Sequence, residues 1–522
     1  MGRYVVAVDV GTGSARAGIF DRRGEMLGRA SFPIEMNRTS RQSAEHDSED
    51  IWAAVTRAVS TARDEAGVAA GEIDAIGFDA TCSLTVRDSE GLPLPVSQND
   101  DPRWDTIAWL DHRALEQAEE LTALGGEMVK HSGGSISPEM QIPKLMWLKS
   151  HRPDVWNRAG MIFDLADFLT WRASGSLTRS VCTMTAKWNY LSHTEEGWPG
   201  DFLDRAGLAE LGTRAGITDI PAQVGACVGM LTASAAQSLG LTTNCKVASG
   251  MVDAYAGQLA LTGKDPDSRN EAGLIGGTSS CVMRFSKEPQ FIKSFWGPYR
   301  DVVLPDWWVI EGGQSATGAL LDHIVRVHGA GLEPTPETHD LVLERIRDLI
   351  AETGEGFGGS IHVLPDFHGN RSPLGDARVL GAIHGLTLDG SFDAMCAIYY
   401  RAMVSLALGM RQILDLMEFD GPVETLHLGG GHARNTLLAR LYADATRRQV
   451  AISAGEEAML LGTAMAAASA AGWYPSLAEA CQAMARPANI IPPNEIRAMA
   501  LDRDYHVFLK MQEQRRELAA IV

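Results

Sequence analysis

The 522-residue sequence is poor in cysteine and in positive charge, and each scarcity excludes a class of protein. The seven cysteines are odd in number, scattered and never spaced as C-x-x-C, which argues against a disulfide framework and against a zinc site. Lysine and arginine number 46 against 66 acidic residues, giving a net charge of -20. Nucleic acid and anionic membrane surfaces select basic patches, so neither is an expected partner of this chain.

Long apolar runs and metal-binding histidine spacings are missing too. The longest nearly uncharged stretch, 458–474 (AMLLGTAMAAASAAGWY), is shorter than the roughly 20 apolar residues that a bilayer requires. Its small side chains predict a buried helix that packs closely against its neighbours. None of the 14 histidines occurs in an H-x-x-x-H pair. The chain opens on the strand-like run 3–8, so we expect no signal peptide and a cytoplasmic location.

Two common nucleotide-binding motifs are missing or incomplete. The sequence contains no G-x-x-x-x-G-K-[S/T] phosphate-binding loop. Gly11 and Gly13 follow a strand-like run, as in a dinucleotide fingerprint, but Arg16 stands where the third glycine belongs. The residues that follow are typical of a strand, whereas that fingerprint needs a helix whose N-terminus holds the pyrophosphate. A dehydrogenase is therefore the weakest of the functions considered.

What the chain does contain is one kind of tight turn that occurs twice. Residues 9–14 (DVGTGS) and 276–279 (GGTS) each lie between two strand-like runs. Glycine lets the backbone approach a ligand closely. Successive N–H groups in such a turn form an anion-binding concavity, to which hydroxyl groups add further donors. Two such turns, one in each half, predict a duplicated fold that holds a polyphosphate between its lobes.

The pattern of elements around the two turns is repeated as well. Three strand-like runs, a helix capped by Asp47 or Ser48, and a buried strand at 73–78 follow each other in the first half. The same order returns more loosely after residue 271. The later elements predicted there are strands at 273–277, 281–285, 307–311 and 425–428 and helices at 315–327 and 435–447. The polar stretch 262–270 is the predicted linker between the halves.

Nine short motifs occur in an order that a known family shares. They are 9–14 (DVGTGS), 109–113 (WLDHR), 143–149 (PKLMWLK), 250–254 (GMVDA), 276–279 (GGTS), 311–316 (EGGQSA), 369–373 (GNRSP), 429–431 (GGG) with Asn435, and 457–464 (EAMLLGTA). Each motif is weak alone, but together they span nearly the whole chain. On these motifs the sequence resembles the FGGY carbohydrate kinases, which have the actin/Hsp70/sugar-kinase fold.

The resemblance implies an α/β fold of two ribonuclease-H-like lobes with an active-site cleft between them. Sugar would bind mainly to the first lobe and its insertion, and nucleotide mainly to the second. The expected divisions are 1–262 for the N-terminal lobe with a sugar-binding insertion at about 80–240, 271–475 for the C-terminal lobe, and 476–522 for a C-terminal helical extension packed on the lobes. A chain of this length is too long for a single core.

Residues 81–84 (TCSL), after 78–80 (FDA), are similar to the pentulose-kinase branch of the family, in particular the D-ribulokinases. The resemblance therefore implies ATP and Mg²⁺ as cofactors and a small-molecule sugar as the partner. Phosphorylation of D-ribulose to D-ribulose 5-phosphate is the expected reaction. Another sugar or polyol kinase (for L-ribulose, xylulose or glycerol) and a non-kinase ATPase of the actin/Hsp70 fold remain open, as does a homodimer.

Asp253 is the expected general base, since the family places it where a carboxylate would accept the proton of the sugar hydroxyl. The residues alone are equally consistent with an aspartate that caps the following helix. The resemblance also implies a set of sugar-binding residues: Cys82, Ser83, Asp111, Arg113, Lys187, Asp253 and Glu311. Alternatives from the residues are a surface ion pair for Asp111 with Arg113, a snorkelling Lys187, and a helix-capping Glu311.

Asp9 is the expected metal residue, holding Mg²⁺ through water, because Mg²⁺ keeps part of its hydration shell and prefers oxygen ligands. A turn-forming aspartate is the alternative. Arg16 would either neutralise phosphate or pair with a surface acid. Asn370 replaces an acidic residue found in many relatives and is expected to shape a loop near the nucleotide. The expected ATP-binding residues are Gly11, Thr12, Gly13, Ser14, Gly277, Thr278, Gln314, Gly318, Gly430, Gly431 and Asn435.

Overall fold

The computed structural model describes residues 3–40, 42–268, 270–354, 356–453 and 457–521. The predicted linker 262–270 includes Arg269, which lies outside the described residues, as do positions 355 and 454–456 of the predicted C-terminal lobe. Residue 522 of the predicted extension lies outside them too. Within the described ranges, no helix has the length and apolarity that crossing a bilayer requires.

The first half of the chain forms a mixed sheet, a smaller four-stranded sheet and the helices packed around them. Its strands are β1 (Tyr4–Val10), β2 (Ser14–Phe20), β3 (Met26–Pro33), β4 (Glu45–His46), β5 (Ile73–Ala80), β6 (Leu84–Asp88), β7 (Thr106–Ile107), β8 (Ala159–Asp164), β9 (Cys227–Met230), β10 (Lys246–Ala248) and β11 (Met251–Val252). Its helices are α1 (Ser48–Ala66), α2 (Leu115–Leu124), α3 (Glu127–Lys130), α4 (Gln141–His151), α5 (Pro153–Arg158), α6 (Leu165–Ser174), α7 (Val181–Lys187), α8 (Phe202–Arg205), α9 (Leu211–Ala215), α10 (Ala233–Leu239) and α11 (Asp253–Thr262).

The second half forms another mixed sheet with its own helices. Its strands are β12 (Glu271–Gly276), β13 (Ser280–Ser286), β14 (Trp296–Arg300), β15 (Trp308–Gln314), β16 (His362–Leu364), β17 (Ala382–His384), β18 (Thr425–Gly430), β19 (Gln449–Ser453) and β20 (Ala488–Ile491). Its helices are α12 (Gly318–His328), α13 (Pro336–Thr353), α14 (Phe392–Leu416), α15 (Thr436–Thr446), α16 (Ala458–Ala471), α17 (Leu477–Met484) and α18 (Glu495–Ala519).

The two large sheets repeat one strand order. In the first, β3, β2 and β1 are antiparallel neighbours, and β1 then pairs in parallel with β5. In the second, β15, β13 and β12 are antiparallel neighbours, and β12 pairs in parallel with β18. Each glycine-rich turn joins the two antiparallel strands at the centre of its sheet. The predicted duplication is therefore present in the topology.

The structure differs from the sequence prediction in several details. The third strand predicted for the second half is β15, which follows the unpredicted β14. It runs three residues past the predicted end because Gly312, Gly313 and Gln314 continue the pairing with β13. Helix α12 consequently begins at Gly318 rather than at residue 315. In the C-terminal extension, β20 pairs antiparallel with β19, so this segment contains a strand as well as helices. Asp47, not Ser48, caps α1 by accepting hydrogen bonds from two backbone N–H groups.

Strand β1 is almost completely buried because helices cover both faces of its sheet. Val6 and Val8 belong to the core that includes α1. Val5 and Ala7, which point the other way because side chains alternate along a strand, belong to the core that includes α16. A central strand covered on both sides is apolar at consecutive positions.

Helices α11 and α16 connect the two halves by packing beyond their own sheets. Helix α11 ends the first half and packs against β12 and β18 of the second sheet. Helix α16 comes from the second half and packs against β1, β5 and α11. The contact is close: a Cβ atom on Gly462 would lie 1.8 Å from the carbonyl oxygen of Ala256. The predicted buried, small-residue helix is thus confirmed, but it lies against the sheet of the first half.

Candidate functional site

A cavity of about 270 Å³ lies where the two glycine-rich turns face each other. Its wall includes the β1–β2 turn, the end of α7 and the start of α11 from the first half, and the β12–β13 turn, β15 and the end of β18 from the second. The residues lining it are Gly11, Thr12, Arg16, Thr81, Cys82, Trp109, Glu139, Lys187, Val252, Asp253, Ala254, Ile275, Gly276, Gly277, Thr278, Ser279, Cys281, Trp296, Glu311, Arg371, Gly430, Gly431 and Met459.

The glycine turns leave open space at one end of this cavity. A Cβ atom placed on Gly277 would meet no atom within 4 Å. Gly430, in contrast, has a φ of 74°, and a Cβ there would lie 2.5 Å from the carbonyl oxygen of Gly276. The backbone at the end of β18 can therefore adopt this conformation only with glycine at position 430. Across the cavity, the indole N–H of Trp109 donates a hydrogen bond of 2.9 Å to Oγ1 of Thr12, which fixes the other turn.

Asp253 is the first residue of α11. It is half-buried and lines the cavity. Val252 is the N-cap, and Asp253 Oδ1 accepts a hydrogen bond of 2.7 Å from the backbone N–H of Ala254. Asp253 is thus the first helical residue rather than the cap. Burial raises the pKa of its carboxyl group, although Lys187 and Arg16 oppose the shift. A group that gains its proton above the usual aspartate range is suited to act as a general base near neutral pH.

The opposite end of the cavity is lined by charged and aromatic side chains. The hydroxyl of Tyr255 donates a 2.7 Å hydrogen bond to Glu311 Oε2. Lys187 Nζ lies 4.3 Å from the centre of the Trp296 ring, a cation–π contact. Burial works against the charge of Lys187, but the neighbouring groups, Cys82 first and Glu311 next, outweigh burial and raise its pKa. The ammonium is therefore held charged in the cavity wall, and the snorkelling alternative for Lys187 is wrong.

Cys82 lines the cavity but is almost completely buried. Burial raises the pKa of its thiol to about 12. Since the thiolate is the reactive form, Cys82 contributes a wall and not a nucleophile.

Asp9 is fully buried below the first turn, and its carboxylate lies 2.8 Å from Nη2 of Arg16. Arg16 also lies 3.5 Å from Glu457, a buried residue at the start of α16. Arg16 therefore pairs with buried acids and not with a surface acid. Burial raises the pKa of Asp9 to about 6, against the effect of Arg16. Asp79, its partner in the parallel register of β1 with β5, also has a pKa raised well above the usual value by burial.

In the described part of the chain, no group of three or more metal-ligating side chains could hold an ion by itself. Oδ2 of Asp9 is ion-paired with Arg16, but apart from this ion pair neither buried oxygen has a hydrogen-bond partner. Such a carboxylate keeps acceptor capacity for the waters of a hydrated Mg²⁺. The remaining ligands would have to come from the phosphates of a nucleotide.

Several predicted site residues lie outside the cavity wall. Asp111 and Arg113 form an ion pair of 2.7 Å, and Arg113 also pairs with Glu45 at 2.7 Å. This pair is buried, so it is neither the predicted surface pair nor part of the cavity wall. Ser83 is buried behind Cys82 and accepts a hydrogen bond from the N–H of Trp109.

Some of the predicted nucleotide-binding residues also lie outside the cavity wall, and others line it. Gln314 is buried, donates a hydrogen bond to the carbonyl of Leu406 and lies outside this cavity wall. Asn435 is the N-cap of α15, accepting from the N–H of Leu438. Gly318 starts α12 beside the second turn, where its N–H donates to the carbonyl of Gly277. Gly13 and Ser14 belong to the first turn but not to the cavity wall. Among the predicted residues, the cavity wall brings together Gly11, Thr12, Cys82, Lys187, Asp253, Gly277, Thr278, Glu311, Gly430 and Gly431.

The polar and aromatic wall residues to which sequence reasoning gave no role include Trp109, Glu139, Trp296 and Arg371. Trp109 and Arg371 lie within two of the nine motifs, so the signal for them was present. Glu139 precedes α4 and Trp296 begins β14, and neither position carries a local pattern that distinguishes it from ordinary surface or core residues.

The chain matches known proteins over nearly its whole length. The N-terminal domain of the FGGY family of carbohydrate kinases matches residues 4–260, and the C-terminal domain of that family matches residues 272–471. A protein from Xenopus laevis named FGGY carbohydrate kinase domain-containing protein is 38% identical over 545 residues, covering 99% of this chain and 98% of that protein. A D-ribulokinase from Saccharomyces cerevisiae is 34% identical over 516 residues, covering 90% of this chain and 72% of that protein.

Solved structures agree with the fold. A ligand-bound xylulose kinase from Lactobacillus acidophilus superposes with a TM-score of 0.81 at 19% identity, covering 99% of this chain and 98% of that chain. At this identity the likeness concerns the fold alone. It confirms the predicted α/β architecture of two lobes with the actin/Hsp70/sugar-kinase fold.

Proposed function

Because the chain belongs to the FGGY family of carbohydrate kinases, we propose that it transfers the γ-phosphoryl group of MgATP to D-ribulose, giving D-ribulose 5-phosphate and ADP. That it is a carbohydrate kinase using a sugar and ATP follows from the family. The choice of D-ribulose is supported by the identity of 34% to the yeast D-ribulokinase. It is also supported by the 81–84 stretch (TCSL), of which Thr81 and Cys82 line the cavity.

The observation that carries the proposal is that Asp253 lines one cavity together with both glycine turns and the charged side chains Lys187 and Glu311. In phosphoryl transfer the protein mainly positions the reactants and neutralises charge. With phosphates at the turns and sugar hydroxyls at Lys187 and Glu311, the Asp253 carboxylate would lie between donor and acceptor. It would then take the proton of the hydroxyl as the new P–O bond forms.

The remaining wall residues would hold the two substrates and exclude water. Backbone N–H groups of the turns at 11–14 and 277–279 would donate to phosphate oxygens. Lys187 would donate to one sugar hydroxyl, and Glu311 would accept from another. Asp9 would hold Mg²⁺ through water, and the ion would supply charge neutralisation to the phosphates. Closing the cavity would keep water from competing with the sugar hydroxyl for the phosphoryl group.

Release of ADP with MgATP and a panel of about twenty ketoses, aldoses and polyols tests the choice of sugar directly. We expect D-ribulose to have the highest kcat/KM of the panel, which must include L-ribulose, xylulose and glycerol. A higher kcat/KM for another sugar would overturn the D-ribulose assignment but leave the kinase intact.

The acid side of the pH–rate profile tests the ionisation of the proposed base. Burial raises the pKa of Asp253, and only its ionised form can accept a proton. We therefore expect kcat/KM to fall as pH decreases through a value above the ordinary aspartate pKa of about 3.9. Measured kcat/KM from pH 4 to 9 checks this.

Asp9, with a pKa raised to about 6 by burial, titrates in the same direction and could contribute to the same limb. The residual activity of Asp253→Asn separates the two groups, because the contribution of Asp253 is absent from it. If the acid side of the pH–rate profile were identical in Asp253→Asn and the wild type, this would contradict its assignment to the ionisation of Asp253.

Replacing Asp9 tests its role toward the metal. We expect Asp9→Asn to raise the Mg²⁺ concentration for half-maximal rate by about 10- to 100-fold, because an amide accepts hydrogen bonds from hydrated Mg²⁺ less strongly than a carboxylate. ADP release at fixed ATP, measured against Mg²⁺ concentration, checks this. Asp21→Asn, at the far end of the same hairpin where Asp21 binds backbone N–H groups of the β2–β3 turn, is the control. An unchanged Mg²⁺ requirement in Asp9→Asn would reject the role.

A further inference from the structure

Arg371 lines the cavity but has no part in the reaction as described above. It lies in the loop between β16 and β17, within the second half of the chain. The guanidinium contacts acids from both halves. Its Nη2 lies 3.3 Å from Oε2 of Glu139, in the insertion of the first half, and its Nη1 lies 3.7 Å from Oε1 of Glu311. The fork of the guanidinium thus spans the cavity wall at the end where the sugar would bind.

The guanidinium group of Arg371 makes two further contacts. Its guanidinium stacks 4.5 Å from the centre of the Trp296 ring, the same ring that Lys187 contacts. Its Nη1 donates to Cys281 Sγ at 3.3 Å. Since a planar cation packed on an aromatic face has little freedom to rotate, the direction of each Arg371 N–H is fixed by the wall.

The loop that carries Arg371 is anchored to the second half by its own residues. Asn370 donates to Asp366 Oδ1 at 2.7 Å and accepts from the N–H of Leu374 at 2.9 Å. Arg515 of α18 also pairs with Asp366. Ser372 accepts from the N–H of Gly313 and donates to the carbonyl of Ser294. Asn370 therefore stabilises the loop conformation that places Arg371 next to Glu311.

The pairing with Glu139 is energetically significant because both partners are withdrawn from solvent. Side-chain exposures are 10% for Arg371 and 16% for Glu139. Burial would raise the pKa of Glu139, but Arg371, helped by His112, outweighs it and lowers that pKa to about 2. Removing one partner of such a pair leaves the other charge uncompensated in the wall.

We propose that Arg371 is a positioning residue for the sugar: by bridging Glu139 of the first half to Glu311 of the second, it orients Glu311 toward the sugar hydroxyl when the two walls are together. Glu311 is then held on both sides, by the Tyr255 hydroxyl at one oxygen and by Arg371 at the other. Glu139 acts only through Arg371. This inference rests on the proposed function in that a sugar must occupy this end of the cavity.

The test compares Arg371→Gln, Glu139→Gln and the double variant with the wild type. We expect each single variant to lower kcat/KM for the sugar by about 10- to 100-fold, the loss of one buried charge-assisted hydrogen bond. The double variant should lose no more than the worse single variant, because the two residues act through one contact. The KM for ATP and the slow hydrolysis of ATP without sugar should stay within about twofold of the wild type.

The same loop provides a matched control. Arg378 pairs with Glu119 of the first half at 2.5 Å, but the two side chains are 81% and 55% exposed. An exposed ion pair contributes little, so Arg378→Gln should keep the wild-type kcat/KM for the sugar. If Arg371→Gln does not fold, Arg371→Lys serves instead. Its single ammonium keeps the charge but cannot bridge two carboxylates, so it should lose the coupling with Glu139 while the thermal midpoint stays near that of the wild type.

Independent, multiplicative losses in the two single variants would overturn the proposal, and so would a kcat/KM for sugar that is unchanged in Arg371→Gln. Equal losses of sugar-dependent turnover and of ATP hydrolysis without sugar would also overturn it, because a general structural role would then explain both. The proposed function is judged separately, by the wild type. If the wild type prefers another sugar, the same variants are measured with that sugar, and the D-ribulose assignment alone fails.

Discussion

Asp253→Asn is expected to lower kcat for sugar phosphorylation by roughly 10²- to 10⁴-fold, the usual contribution of a positioned general base. Asparagine has nearly the same shape, and its amide oxygen can still accept the hydrogen bond that Asp253 Oδ1 accepts from the N–H of Ala254. What it cannot do is take up the proton of the sugar hydroxyl. The rate should therefore fall while folding and sugar affinity are retained.

Three measurements on the purified variant separate these effects. Steady-state ADP release gives kcat, calorimetric titration gives sugar affinity, and thermal unfolding monitors the fold. Asp393→Asn is the matched control, since Asp393 also lies in the first turn of a helix but is exposed and paired with Arg345. Near-normal kcat in Asp253→Asn would remove this residue from the mechanism, whatever its position in the cavity.

The second large effect is expected from Gly462→Ala, at the contact between α11 and α16. The added Cβ would lie 1.8 Å from the carbonyl oxygen of Ala256, an atom of a helix backbone that cannot move aside alone. Separating the two helices would also disturb the packing of α16 on β1 and β5. We expect the free energy of unfolding to fall by about 3 kcal/mol, the upper part of the range for overpacked cores.

Urea denaturation followed by circular dichroism measures this change. Gly71→Ala is the control, because a Cβ at that exposed position meets no atom within 4 Å and the φ angle is not positive. Its stability should stay within about 0.5 kcal/mol of the wild type. Equal stabilities of Gly462→Ala and the wild type would mean that α11 and α16 are not in the close contact described here.

The central parts of the site could be predicted from sequence because their signals are local. The turn at 9–14 lies between two short strand-like runs, so neighbouring residues define it. For Asp253 the local signal is only that of a helix start, and its role as a base came from the resemblance to the family. The signal for the buried helix at 458–471 is equally local, because it is a run of small apolar residues. The packing of this helix against the first sheet could not be predicted, because no pattern within a helix indicates which sheet it will cover.

The remaining residues depend on pairings that no local pattern encodes. Glu139 and Arg371 are 232 positions apart and come together only because the loop between β16 and β17 reaches the segment that precedes α4 in the first half. Asp111 and Arg113 are a second case. The family motif implied a place beside the sugar, and in the structure a third partner, Glu45, joins them in a buried ion-pair network outside the cavity wall. Burial and long-range pairing decided both outcomes.

The most direct test of the account follows the γ-phosphate of ATP. In a single turnover with γ-labelled MgATP and D-ribulose, the account predicts that the label appears in the sugar phosphate, one for each ADP formed, and that Asp253→Asn slows this transfer. Label released as inorganic phosphate at the same rate with and without sugar would contradict it, because the cavity would then activate water and not a sugar hydroxyl.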